Sequence, residues 1–243
     1  KRLDVMEEEY IQNLKNYLVE FDKLPIAKKK ITALLEADNC YKKGKIPTKS
    51  LPNLEFTETE ILEHLTEFPN IMELESHLLD FREYIIEEYG IWHIYSQEWL
   101  QDLKAFLANE QTLMIMAGNA VLGKFLKNII CTDNLDWRHQ DNERPNPWTD
   151  VEQLDALEAV KKYLNNVSNI IIEWCPDSTD TDIKVLHYLR QKKWKGNLIV
   201  LGEKQGATNS KAFWKEAHLE RPVNLNQHHK PFDFIKDQVY LAK

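Results

Sequence analysis

The chain has 243 residues, enough for one large domain or two small ones. Its 43% hydrophobic and 29% charged residues are those of a globular protein, and no apolar run approaches the ~20 residues that a membrane span needs. A net charge of −8 argues against a broad nucleic-acid surface, because phosphate binding calls for a basic face.

The three cysteines, Cys40, Cys131 and Cys175, are far apart and form no Cys-x-x-Cys pair, which predicts a reduced, cytoplasmic setting. Of the seven glycines, only Gly44 and Gly90 precede position 110. Tight backbone turns, and with them a ligand site, are expected in the second part of the chain.

The first ~95 residues read as successive helices. Tyr10, Ile11, Leu14, Tyr17, Leu18 and Phe21 form a stripe at helical spacing, and Pro25 ends or restarts it. A second helical pattern runs from Ile26 to Tyr41, with Ile31, Leu34 and Leu35 inward. Lys42 to Phe56 holds Gly44, Pro47 and Pro52 without periodicity and reads as a loop. Thr57-Glu58-Thr59-Glu60 is a capping-box signature that opens a short helix to Phe68. Ile71 to Tyr89 reads as one longer helix stopped by Gly90. His64 and His77 fall on helical faces and suit structural or solvated roles. Trp92, Tyr95 and Trp99 mark where the two parts meet, as a packed junction or as a wall of a substrate pocket.

Ser96 to Asn109 should be helical, with Trp99, Leu103, Phe106 and Leu107 on one face. Thr112 to Met116 then reads as a buried strand that breaks at Gly118-Asn119 and resumes as a helix through Val121, Leu122, Phe125 and Leu126. A strand passing through a tight turn into a helix is the first unit of a nucleotide-binding sheet, where glycine admits close backbone approach and the helix start offers N–H groups. Ile129 to Asp133 is a second strand ending in a carboxylate, the place from which an acidic residue can hold a ribose.

Asn134 to Pro147, with Trp137, Arg138 and His139, is a long polar connection of the functional or mobile kind. Val151 to Leu154 reads either as a first helical turn capped by Thr149 with Glu152 or as a brief strand ending at Asp155, and Ala156 to Leu164 is helical. Asn169 to Glu173 is the clearest strand, its triple isoleucine suited to burial on both faces. A helix from Thr179 to Lys193 follows, then a strand from Gly196 to Gly202, a loop to Ser210, and a helix with Phe213 and Trp214. Gln238 to Ala242 is expected as a last, antiparallel strand. Alternating strands and helices predict a parallel sheet.

Four pieces resemble class I S-adenosylmethionine-dependent methyltransferases, and most of all an uncharacterised bacterial group of that fold. They are Met116-Ala117-Gly118-Asn119, Thr132-Asp133-Asn134, Leu154-Asp155-Ala156-Leu157 and Trp174-Cys175-Pro176. Gly202-Glu203 with Gly206 to Ser210 and Phe213-Trp214 adds a fifth. The likeness covers roughly Ser96 to Lys243. It implies a Rossmann-like methyltransferase α/β domain over 96–243, beside an all-helical N-terminal region over 1–95.

The resemblance further implies that Gly118, Asn119 and Ala120 face the methionine part of S-adenosylmethionine. Asp133 would hold the ribose, Asp155 and Ala156 the adenine, and Trp174 to Asp177 the substrate. Asp177, Glu203 and Glu173 are the candidate bases near strand ends, with Asp177 and Glu203 preferred, because methyl transfer to a protonated nucleophile requires one. The family's acidic residue in the first strand is Met114 here, and two of its usual glycines are Met116 and Ala120. Two functions follow as expectations. One is methyl transfer to an unknown acceptor, with the N-terminal helices covering the site. The other is a catalytically inactive binding module whose helical part contacts a protein partner. Cys175 lacks an adjoining basic partner, and His228-His229 with Asp233 lacks metal-ligand spacing, so neither is taken as a site.

Overall fold

The computed structural model describes residues 2–243, with side chains from Glu9 onward. The chain divides after Gln97 into two compact units, and Pro231–Phe234 returns to the first of them.

The first unit is helical. It contains α1 (Arg2–Glu20), α2 (Pro25–Lys42), α3 (Glu58–His64), α4 (Ile71–Leu79) and α5 (Phe81–Tyr89). Leu14, Phe21, Ile31, Leu34, Leu74, Leu78, Phe81 and Ile85 are fully buried, which turns the apolar stripes of α1, α2, α4 and α5 inward. Pro25 sits in the first turn of α2, where its missing N–H costs nothing. The capping box forms: Thr57 Oγ1 accepts from the Glu60 N–H at 3.2 Å, and the Glu60 carboxylate accepts from the Thr57 N–H at 2.7 Å. The expected single helix from Ile71 to Tyr89 is broken at Asp80, a residue type that competes with helical hydrogen bonding. Gly90 ends α5 in the left-handed conformation, at φ 59°. His77 is a structural residue, stacked on Tyr10 at 4.4 Å between ring centroids.

Arg82 anchors the returning segment. Its Nε donates to Asp233 Oδ2 at 2.6 Å, its Nη2 to Asp233 Oδ1 at 3.2 Å, and its Nη1 to the Trp92 carbonyl at 3.0 Å. Arg82 is 4% exposed and Asp233 0%, so the charges are compensated by each other rather than by water.

The second unit is mixed α/β. It runs α6 (Gln97–Leu107), β1 (Thr112–Ile115), α7 (Val121–Phe125), β2 (Ile129–Asp133), β3 (Glu152–Gln153), α8 (Ala156–Tyr163), β4 (Asn169–Glu173) and α9 (Thr181–Gln191). It continues β5 (Asn197–Gly202), α10 (Lys211–Glu216), β6 (Leu219–Glu220), α11 (Val223–Asn226) and β7 (Gln238–Ala242). Among the described residues these strands make one seven-stranded sheet in the order β3-β2-β1-β4-β5-β7-β6. The first five are parallel to their neighbours, and β7 is antiparallel to β5 and to β6. Period-two alternation sets one buried face: Leu113 and Ile115, Ile170 and Ile172, Leu198 and Val200 pack with Ala159 and Val160 of α8, Leu186 of α9 and Phe213 of α10. The short Val151–Leu154 segment resolves as the strand alternative, with Thr132 opposite Glu152. No helix among the described residues is long and apolar enough to cross a membrane.

Candidate functional site

In an open sheet of this kind ligands bind beyond the carboxyl ends of the parallel strands, where the strand order reverses. Here the order reverses at β1, which lies between β2 and β4 in the sheet, with Ile115 opposite Ile172. Both strands that flank this point leave the sheet through a bulky residue in the left-handed region, Met116 at φ 53° and Trp174 at φ 50°. Gly118 (φ 54°) and Ala120 (φ 50°) repeat that conformation within the same turn. Glycine adopts it freely, whereas each side-chain-bearing residue there costs roughly 1–2 kcal/mol.

The turn is held by a carboxylate. β2 delivers Asp133 beside it, and Asp133 Oδ2 accepts from the Gly118 N–H at 2.8 Å. Asp133 Oδ1 accepts from the Leu135 N–H at 2.7 Å and from the Trp137 indole N–H at 3.3 Å. A carboxylate offers about four acceptor positions, so three of them are engaged by the chain itself. Asp133 is 7% exposed and Trp137 4%. A Cβ built on Gly118 would have the Trp137 ring as its nearest neighbour, at 3.8 Å. The indole therefore packs beside the glycine turn, at ordinary van der Waals distance.

The far end of the same connection is pinned to the turn as well. Asn119, 3% exposed, accepts from the Asn146 N–H through its side-chain oxygen at 2.7 Å and from the Trp148 N–H through its backbone carbonyl at 2.8 Å. The long polar stretch between Asp133 and Thr149 is thus folded back over Gly118 and Asn119 and fastened at both ends. Within it, Arg138 makes a two-pronged pair with Asp136 at 2.6 and 2.7 Å. Hydrogen bonding to that guanidinium lowers the Asp136 carboxyl to about 2.

The remaining expected site residues do structural work at neighbouring strand ends. Asp155 caps α8, accepting from the N–H groups of Leu157 and Glu158 at 2.9 and 3.5 Å, and Ala156 is the buried first residue of that helix. The Leu154 N–H donates to the Asp133 carbonyl at 2.9 Å, which joins this pair to the glycine turn. Glu203 staples its loop: one carboxylate oxygen accepts from the Ala207 N–H and the other from the Lys236 N–H, each at 2.8 Å. Trp174 donates its N–H to the Leu201 carbonyl at 2.9 Å and its indole N–H to Asp237 at 3.0 Å. Asp177 is exposed in the connection between β4 and α9.

Gly118, Asn119, Ala120 and Asp133 are thus brought together, Asp155 and Ala156 adjoin them, and Trp174 and Glu203 belong to the β4–β5 side. The sequence marks Trp137 only as part of a polar connection and His229 only beside His228, and no local motif surrounds Asp237. Asp237 accepts from the Trp174 indole, and its Oδ1 stands 3.5 Å from His229 Nε2. His228 pairs with Asp102 at 2.7 Å and Asp233 with Arg82, so the three residues weighed as a metal set are parted among three partners. Burial pushes the Cys131 thiol up to about 12, and it raises Cys175 as well. Compared with models of known protein families the chain matches none, and no curated protein matches it.

Proposed function

We propose that this chain is a binding protein built on a Rossmann-like, methyltransferase-type scaffold, with a nucleotide position filled by its own polypeptide. The observation that carries the reading is the Asp133 carboxylate. It is engaged by the Gly118 and Leu135 N–H groups and by the Trp137 indole, which also packs beside the glycine turn. Three features weigh against S-adenosylmethionine here. Three of the about four acceptor positions of Asp133 are engaged by the chain, the indole packs beside the turn, and a neutral Met114 occupies the place of the family's strand-one carboxylate. Asp155 and Glu203, the other acidic residues of the resemblance, are helix-cap and loop-staple residues.

The second reading, methyl transfer from S-adenosylmethionine to an unknown acceptor, draws on two features. One is the strand order with its reversal at β1; the other is an exposed carboxylate, Asp177, just beyond the carboxyl end of β4. It requires the connection after Asp133 to leave the turn. A thermal-shift titration of the full chain with S-adenosylmethionine and S-adenosylhomocysteine separates the two. A ligand at 100 times its dissociation constant stabilises the folded state by about 2.7 kcal/mol. The binding-protein reading expects no shift up to millimolar ligand. A saturable shift overturns it in favour of the enzyme.

A further inference from the structure

The first unit carries a surface that neither its own core nor the glycine turn explains. Between Lys49 and Arg82 the sequence contains eight carboxylates and no lysine or arginine. α3 and α4 lie in this stretch and pack on each other. α3 buries no residue fully, although its seven residues and the one that follows include Ile61, Leu62 and Leu65. Its shape is secured locally, by the Thr57–Glu60 capping box, rather than by a buried stripe. An isolated helix this short is unstable in water, and most helical stability comes from packing an apolar face.

That face is left in solvent. Leu62 is 66% exposed, Leu65 38% and Met72 of α4 60%. Leu62 and Leu65 are three apart and share one side of the helix. The same two segments carry exposed carboxylates, Glu58, Glu63 and Glu67 in and after α3 and Glu73 on α4. The base of the surface is firm: Phe68 stacks on Phe21 with centroids 5.3 Å apart, and Asn70 donates to Glu20 at 2.9 Å. Exposed apolar side chains among charges of one sign mark an interaction site, and they also define what fits. Polyanions and anionic membranes are repelled, and so is the same face of a second copy.

We infer that the α3–α4 face docks a cationic amphipathic helix of a partner protein. Its leucine-type stripe would lie against Leu62, Leu65 and Met72, and its lysines and arginines would meet these glutamates. This deepens the binding-protein reading above and rests on it. The two fail separately, because the probe below reads α3–α4 while S-adenosylhomocysteine reads the glycine turn.

The test is fluorescence anisotropy of the full chain with two labelled peptides of about 18 residues and identical composition. One places leucines at i, i+3, i+4 and i+7 among lysines; the other scatters them so that no stripe forms. The striped peptide is expected to bind at least about 10-fold more tightly than the scattered one. Leu62→Ser with Met72→Ser should weaken it by about 10-fold, and Glu63→Gln with Glu67→Gln should weaken it and flatten its salt dependence. All four positions are exposed, so the variants keep the fold, and unchanged circular dichroism checks this. Equal binding of the two peptides, or binding indifferent to both pairs of substitutions, overturns the proposal. So does concentration-dependent self-association of the chain that Leu62→Ser abolishes, since the occupant would then be a second copy.

Discussion

Asp133 shows how a single side chain can change the meaning of a site. A carboxylate closing the second strand is legible in the sequence, because five residues from Ile129 to Asp133 read as a strand and its end is the ligand side of a parallel sheet. What that carboxylate touches is not legible. Its three donors come from a glycine 15 residues upstream, from the next-but-one residue, and from an indole four residues on. Only the folding back of an irregular connection assembles them, and irregular connections carry no periodicity to read. Asp133→Ala should therefore act as a structural lesion. It leaves two backbone N–H groups and one indole N–H without their charged acceptor, at an expected cost of about 3 kcal/mol in urea-induced unfolding. A ribose ligand residue would behave differently, since its removal would leave the unliganded chain as stable as before.

The elements were largely readable where periodicity is strong. The strands from Thr112, Ile129, Asn169 and Asn197, and the antiparallel strand from Gln238, follow from short apolar runs bounded by turn residues. The two-residue strands Glu152–Gln153 and Leu219–Glu220 are too short to carry a pattern; the first was one of two open alternatives and the second was not foreseen. The break at Asp80 was hidden because Leu74, Leu78, Phe81 and Ile85 keep helical spacing across it.

Among the helices of the first unit, three tyrosines provide a test at alkaline pH. Burial raises Tyr10, Tyr41 and Tyr84 well above the ordinary phenol value, and the Asp38 carboxylate, to which Tyr84 donates at 2.8 Å, adds to the shift of Tyr84. A raised folded-state value means that the stability is fully present below the unfolded value of about 10 and is lost as pH rises beyond it. Tyrosinate absorbance near 295 nm should rise in two stages above about pH 10, the exposed phenols first and the buried ones together with loss of helical signal. Full ionisation before any loss of helix would contradict the buried assignment.

At the scale of the whole molecule the chain is two units with different characters. The division after Gln97 coincides with the change from helical to alternating pattern, but the return of Pro231–Phe234 to the first unit has no local signature. It depends on the meeting of Arg82 and Asp233, 151 residues apart. Removing one partner of a buried pair leaves the other charge uncompensated, so Arg82→Ala is expected to cost about 3–5 kcal/mol in denaturant unfolding. A loss below about 1 kcal/mol would place that pair in water instead.

We propose that the glycine turn of this sheet is closed by the chain itself. Amide hydrogen exchange at Gly118 and Leu135, followed by NMR with and without millimolar S-adenosylhomocysteine, tests it most directly. Both amides donate to Asp133, so both should exchange slowly in the free chain and stay unchanged when the ligand is added. Exchange at unprotected rates in the free chain, slowed by the ligand, would mean that the turn stands open and that Asp133 waits for a ribose.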